Sequence, residues 1–101
     1  MAHTDTVITR NDEASRYEAH VDGALAGFAE YTLTSTVLTF THTVVDPAYE
    51  GQGVGSALAK GVLDDAIQRG DRRIKVVCPF IRAWIGRHPD YQHLLEGAPQ
   101  A

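Results

Sequence analysis

The chain has 101 residues, a formal net charge of −4 at pH 7 and 44% hydrophobic residues. Its length predicts one domain over residues 1–101, with the core at about 7–95. The negative charge argues against a general nucleic-acid binder. No apolar run approaches the roughly 20 residues that a membrane span needs. A single cysteine excludes an internal disulfide framework and favours a reducing, cytoplasmic setting. We expect a monomer or a weak dimer.

The charges are distributed unevenly along the chain. Eight of the 13 acidic residues precede Gly51, whereas seven of the nine lysines and arginines follow it. This asymmetry favours a phosphate-rich ligand on the second half and a cationic ligand facing the first half. Solvated surface charge is the alternative, and for most of these residues it is the better one.

The first third of the chain predicts antiparallel strands. Residues 7–10 form a short strand, and residues 16–21 alternate apolar and polar side chains with the period of two that is typical of a half-buried strand. Asp22-Gly23 predicts a hairpin turn, after which residues 25–33 return. The residues expected on one side of this returning strand are Leu25, Gly27, Ala29, Tyr31 and Leu33.

A change of period marks the rest of the chain. Residues 37–45 are rich in β-branched and aromatic residues, which predicts a fourth strand. Apolar residues recur at helical spacing over residues 53–69, and Gly70 is a plausible helix stop. A short buried strand at 74–77 and a helix that begins at Pro79 and closes at His88-Pro89 complete the pattern. This order predicts an α+β domain with helices packed on a layer of strands.

Three glycines at alternate positions, Gly51, Gly53 and Gly55, join the fourth strand to the first helix. Glycine lets backbone N–H groups approach a ligand closely because no Cβ intervenes. The first N–H groups of a helix have no internal acceptor and lie at the positive end of its dipole. The stretch therefore predicts a site for an anion such as a pyrophosphate; a turn that only reverses the chain is the alternative. It matches neither a P-loop nor the G-x-G-x-x-G dinucleotide fingerprint.

The stretch of residues 45–58 resembles the acyl-CoA-binding motif of the GNAT N-acetyltransferase superfamily, written Q/R-x-x-G-x-G/A after a strand ending in V-x-P. Gly53-Val54-Gly55 match this motif, while Glu50 stands where the family has Gln or Arg. Two more blocks, the strand with His42-Thr43 and the later cysteine followed by Arg87-His88-Pro89, resemble the minimal, stand-alone GNAT-like N-acetyltransferase family. The similarity covers roughly residues 17–95.

The resemblance implies the GNAT-like acyl-CoA N-acyltransferase fold, a mixed, mostly antiparallel sheet splayed between the strands at 37–45 and 74–77, with two main helices. Acetyl-CoA would be the co-substrate, with its pantetheine arm in the splay. Backbone groups at 44–45 would bond the pantetheine amides, and the loop amides would hold the pyrophosphate. The cofactor-binding residues that the resemblance implies are Val44, Val45, Gly51, Gln52, Gly53, Val54, Gly55 and Ser56.

His42 and Cys78 are the candidate catalytic residues. His42 is a candidate base because histidine exchanges a proton near neutral pH; a structural histidine bonded to a neighbouring strand is an equal alternative. Cys78 precedes a helix start, where a thiolate is favoured, and is a candidate nucleophile, although a small buried core residue is the more favoured interpretation. The histidines form no metal-ligand spacing with Cys78, so no metal is expected. The tyrosine acid that the superfamily often carries on its last helix has no counterpart here.

The sequence therefore predicts an enzyme that transfers an acetyl group from acetyl-CoA to an amine. The acceptor is not written in the sequence, although the acidic first half hints at a lysine side chain or a polyamine. The main alternative is a non-catalytic module that binds CoA or acetyl-CoA, for example as a sensor. A third alternative is an interaction domain that keeps this fold but does not bind CoA. No nucleic acid or membrane is expected as a partner.

Overall fold

The computed structural model describes residues 6–96, with side chains through residue 95. Residues 97–101 lie outside this range. Within it the elements follow in the order β1 (Thr6–Asn11), β2 (Arg16–Val21), β3 (Ala24–Leu33), β4 (Val37–Val45), α1 (Val54–Arg69), β5 (Arg73–Val76) and α2 (Pro79–Gly86). Two 3₁₀ helices, Pro47–Tyr49 and Pro89–Glu96, precede α1 and follow α2.

The strands form one sheet in the order β1-β2-β3-β4-β5. The first three pairs are antiparallel, and β4 and β5 are parallel, with Val37 opposite Arg73 and Phe40 opposite Val76. A parallel pair needs a crossover connection, which α1 supplies. The predicted α+β fold with a mixed, mostly antiparallel sheet and two main helices is confirmed.

The core lies on one face of the sheet. Alternate strand residues such as Tyr17 and Phe40 are buried there beneath apolar residues of α1 and α2, including Leu58 and Ile81. The Tyr17 hydroxyl donates a hydrogen bond of 2.6 Å to Asp65 of α1, which ties the sheet to the helix. We call the opposite side of the sheet the open face. Among the residues it carries are Arg16, Glu18, His20, Phe28, Glu30 and His42.

A β-bulge in β3 changes which side chains are buried. Ala26 is the extra residue, because Gly27 pairs with Ala19 while Leu25 pairs with His20. Ala26 is consequently buried, and Leu25 is 41% exposed. The prediction that Leu25 lies on the same side of the strand as Ala29 and Tyr31 is therefore wrong, because an extra residue shifts the period of two by one position.

A second bulge, in β4, determines which residues face the core at the end of that strand. Thr41 is the extra residue, because Phe40 pairs with Tyr31 while His42 pairs with Glu30. Without the bulge, His42 would follow Phe40 into the core. With it, Thr43 takes the core side and His42 turns to the open face, since successive side chains alternate.

Candidate active site

β4 and β5 part after only four paired positions. The Phe40 carbonyl accepts the N–H groups of both Val77 and Cys78, at 3.0 Å each. Beyond this point β4 continues to Val45, while the chain after β5 turns directly into α2. The result is a wedge-shaped gap between the end of β4 and the start of α2, which we call the splay.

Main-chain groups of β4 are directed into the splay. The Asp46 N–H donates to the Ala26 carbonyl at 2.8 Å, so the backbone at residue 46 faces β3. Successive backbone groups of a strand alternate in direction. The N–H and C=O groups of Val45 and, two residues earlier, Thr43 therefore point away from β3 and toward the gap.

A cavity of about 440 Å³ extends from the splay to the N-terminus of α1. Thr43 and Val45 border its splay end. The glycine loop, residues 50–56, borders its other end, where Gly51, Gly53 and Gly55 all contribute to the lining. One continuous cavity thus joins the strand gap to the helix start.

The backbone at the start of α1 provides hydrogen-bond donors to this cavity. Gly53 is the N-cap and adopts φ 80° and ψ 9°, the left-handed region that side-chain-bearing residues rarely adopt. No side chain caps the helix. Within the described residues the N–H groups of Val54, Gly55 and Ser56 have no hydrogen-bond acceptor, as expected for a first helical turn. All three residues line the cavity, so an anion can be bound there.

α2 forms the facing wall of the cavity. A Cβ at Gly55 would lie 2.6 Å from Cζ of Phe80, so the ring packs directly on the loop and would have to shift for any larger residue. One turn later, Nε1 of Trp84 donates a hydrogen bond of 2.9 Å to Oγ of Ser56. The Trp84 ring also stacks on His88, with 3.7 Å between ring centroids. These contacts hold α2 against the first turn of α1.

Among the seven lysines and arginines that follow the glycine loop, Lys60, Arg82 and Arg87 differ in what they contact. Lys60 pairs with Asp64 at 2.7 Å, and Arg82 donates to the Val76 carbonyl at 3.1 Å. Arg87 lines the cavity and forms no ion pair with any side chain in residues 6–95. Of the three, Arg87 is the one placed to meet a phosphate.

The structure places most of the predicted cofactor-binding residues at the cavity. Those that line it are Val45, Gly51, Gly53, Val54, Gly55 and Ser56. Val44 points to the open face opposite Phe28 and is 37% exposed. Gln52 is exposed, and its side-chain amide approaches the Ala48 carbonyl at 3.4 Å. Neither Val44 nor Gln52 borders the cavity.

The two candidate catalytic residues lie on different sides of β4. His42 is exposed on the open face beside Glu30 and does not border the cavity. Cys78 is 1% exposed and lies behind Thr43, whose Oγ1 is 3.2 Å from Sγ. Thr43, rather than Cys78, therefore forms the cavity wall. The sequence identifies Thr43 only as a strand residue, because nothing in the local pattern signals the bulge that turns it inward.

The tyrosine that follows α2 is engaged away from the splay. Tyr91 donates a hydrogen bond of 2.6 Å to Asp64 of α1, and this bond, together with burial, raises the pKa of Tyr91. Its ring packs edge-on against Trp84, with 5.0 Å between centroids.

Across residues 6–95 no group of three or more His, Cys, Asp or Glu side chains is arranged to hold a metal ion. No helix in the described range is both long and apolar enough to cross a membrane.

Comparison with known proteins identifies the family. Residues 16–94 match the family described as GCN5-related N-acetyl-transferase. The chain belongs to this family. The predicted family resemblance is thereby confirmed.

Two solved structures of N-acetyltransferases resemble the chain. The ribosomal-protein-S18-alanine N-acetyltransferase of Escherichia coli shares 25% identity with a TM-score of 0.56, over 66% of this chain and 43% of that one. The ribosomal-protein-alanine N-acetyltransferase of Brucella melitensis biovar Abortus 2308 shares 18% identity with a TM-score of 0.59, over 99% and 93% of the two chains. At that identity the second likeness shows the fold alone.

A curated relative is similar over a shorter stretch. Protein NATD1 of Bos taurus is 34% identical over 58 residues, which are 57% of this chain and 50% of that protein. The chain therefore spans about half the length of the curated relative it matches.

Proposed function

We propose that this protein transfers an acetyl group from acetyl-CoA to an amine. The observation that carries the proposal is the continuous cavity between an anion-binding helix start and a strand gap. The pyrophosphate of CoA suits the N–H groups of Val54, Gly55 and Ser56, and Arg87 adds a positive charge at the same cavity. The two amides of pantetheine suit the main-chain groups of Thr43 and Val45. In this arrangement the thioester lies at the splay end.

The proposal assigns the attacking amine to the open face. A protonated amine must lose a proton before it attacks. His42 can accept that proton only from an acceptor that enters on the open face, where Glu30 lies beside it and favours a cation. A nucleophilic role for Cys78 would require Thr43 to move, because the sulfur is buried behind it. Direct attack by the amine is therefore the simpler route.

The identity of the acceptor needs a direct assay. The two structural neighbours are named for alanine of ribosomal proteins, and the acidic first half of this chain favours a cationic acceptor. We therefore propose three probes: a peptide that begins with alanine, a lysine-containing peptide and spermidine. Amine-dependent release of CoA from acetyl-CoA with any of them supports the enzyme. His42→Ala should then lower kcat and leave the affinity for acetyl-CoA unchanged; an unaltered kcat would exclude His42 as the base.

A matched pair of glycine variants tests the cofactor site. Gly53→Ala forces a side chain into the left-handed region, which costs about 1–2 kcal/mol. Gly70→Ala is the control, because Gly70 has φ 63° and caps the other end of α1. Both variants should lose similar stability in urea denaturation, but only Gly53→Ala should lose affinity for CoA in calorimetry. Equal CoA affinities in the two variants would refute the assignment of the loop.

A second candidate function is supported by one feature of the site. Tyr91, the tyrosine closest in sequence after α2, is bonded to Asp64 and is directed away from the splay. In that position Tyr91 cannot act as the acid that protonates the leaving thiolate. Without such an acid, the protein would bind acetyl-CoA as a sensor and would not transfer the acetyl group efficiently. Saturable binding of acetyl-CoA together with no amine-dependent CoA release from any of the three probes would favour this function over the enzyme.

A further inference from the structure

Thr43 is the hydroxyl side chain at the splay end of the cavity. The other hydroxyls that line the cavity, those of Tyr49 and Ser56, belong to the segment around the glycine loop. The Ser56 hydroxyl already accepts a hydrogen bond from Trp84. A thioester in the splay therefore meets Thr43.

Cys78 fixes the orientation of the Thr43 hydroxyl. The Cys78 N–H is bonded to the Phe40 carbonyl at 3.0 Å, and the side chain is 1% exposed. Within residues 6–95 the only hydrogen-bond partner of Sγ is Oγ1 of Thr43, at 3.2 Å. Either atom can be the donor in this contact, and when the S–H of Cys78 donates, Oγ1 of Thr43 accepts. Because a threonine hydroxyl has one donor and two acceptor positions, its own hydrogen remains available to the cavity.

We propose that Thr43, oriented by Cys78, donates a hydrogen bond to the sulfur of CoA as the thioester bond breaks. This inference rests on the proposed acetyl transfer. The amine nitrogen bonds to the carbonyl carbon, the C–S bond breaks, and sulfur leaves with the electron pair. The proton lost from nitrogen passes to His42, the base proposed above, and from there to solvent, and the thiolate takes a proton from solvent. Thr43 keeps its proton throughout and stabilises the developing negative charge.

This assignment gives different roles to two residues. Thr43 touches the reacting atoms, whereas Cys78 acts only through Thr43 and is a positioning residue. The charged groups that border the same cavity, Glu50 and Arg87, belong to the loop and to the end of α2. His42 lies on the open face. Thr43 is thus the side chain best placed to change the protonation of a sulfur at the splay.

The test uses CoA itself, so that no acceptor has to be known. The thiolate absorbance of CoA bound to the protein is titrated with pH, after subtraction of the ligand-free protein. A hydrogen bond to a charged group shifts a pKa by about one to two units. Thr43→Val should therefore raise the pKa of the bound CoA thiol by about one to two units relative to the unaltered protein, and Thr43→Ser should restore it. Cys78→Ala should raise it by less. The control is Thr39→Val, the same substitution on the open face of β4, which should leave the pKa of the bound CoA thiol unchanged.

Each outcome decides the matter. A bound-CoA thiol with the same pKa in Thr43→Val and in the unaltered protein overturns the inference while acetyl transfer stands. An acetyl group found covalently on Cys78 by mass spectrometry after incubation with acetyl-CoA also overturns it. Failure of the unaltered protein to bind CoA refutes the proposed function, and the inference with it. Circular dichroism of each variant shows that the fold is kept, and valine is well tolerated in a strand.

Discussion

Gly55→Ala should destabilise the protein, although alanine is the better helix former. The added Cβ would lie 2.6 Å from Cζ and 3.3 Å from Cε2 of Phe80, so the ring must leave its position. Overpacking of this kind costs about 1–3 kcal/mol. The helix-propensity gain from glycine to alanine is at most about 1 kcal/mol. We therefore expect a net loss of about 0–2 kcal/mol in the free energy of unfolding, from the difference of these two terms.

A double-mutant cycle identifies the cause of this loss. In a Phe80→Ala background the clash is absent, so Gly55→Ala should stabilise the protein by up to about 1 kcal/mol. Urea denaturation of the four proteins, with equal m-values, measures both differences. Gly86→Ala is the control, because its Cβ meets no atom within 4 Å. An equal loss from Gly55→Ala in both backgrounds would refute the contact between α2 and the loop.

Three further changes test other parts of the fold. Phe40→Ala should lower the free energy of unfolding by about 3–5 kcal/mol, because Phe40 is completely buried; a loss below about 1 kcal/mol in urea contradicts its place in the core. Trp84→Phe should remove the hydrogen bond to Ser56, at about 1 kcal/mol, and Ser56→Ala should then add little; fully additive losses contradict the bond. Burial raises the pKa of Asp65, but hydrogen bonds from Tyr17 and a neighbouring arginine outweigh it and lower the pKa below its usual value. Stability should consequently be complete above about pH 4 and fall as pH drops below it, and Asp65→Asn should flatten that fall in acid titrations; an unchanged slope would exclude Asp65 as its source.

The parts of the fold that local residues determine were predictable. α1 spans Val54–Arg69, between two glycines that both have positive φ, and the sequence marks both ends. α2 begins at Pro79 as predicted. It ends at Gly86, earlier than predicted, because the N–H groups of Arg87 and His88 bond carbonyls only three residues back. The glycine loop was recognisable because its conformation depends on its own residues.

The parts that depend on pairing between strands were not predictable from local pattern. The bulge at Thr41 is a shift in the register of β4 against β3. No residue near Thr41 forms a sequence pattern that predicts this shift. Its effect reaches the candidate site, since it moves His42 to the open face and brings Thr43 to the cavity. The early end of β5 has a similar origin, because Val77 shares the Phe40 carbonyl with Cys78 instead of continuing the ladder.

The cavity is bordered at both ends by main-chain N–H and C=O groups, which every residue except proline can supply in full. Replacement of the side chains around them leaves these groups in place, as long as the left-handed turn at Gly53 and the parting of β4 from β5 are kept. Substitutions during evolution can therefore change most side chains of such a site without removing its main-chain hydrogen-bonding groups. A shared architecture with the Escherichia coli enzyme at 25% identity is consistent with this tolerance. The open face carries no helix in the described range, so its side chains can vary without disturbing the packing of α1 and α2 on the sheet.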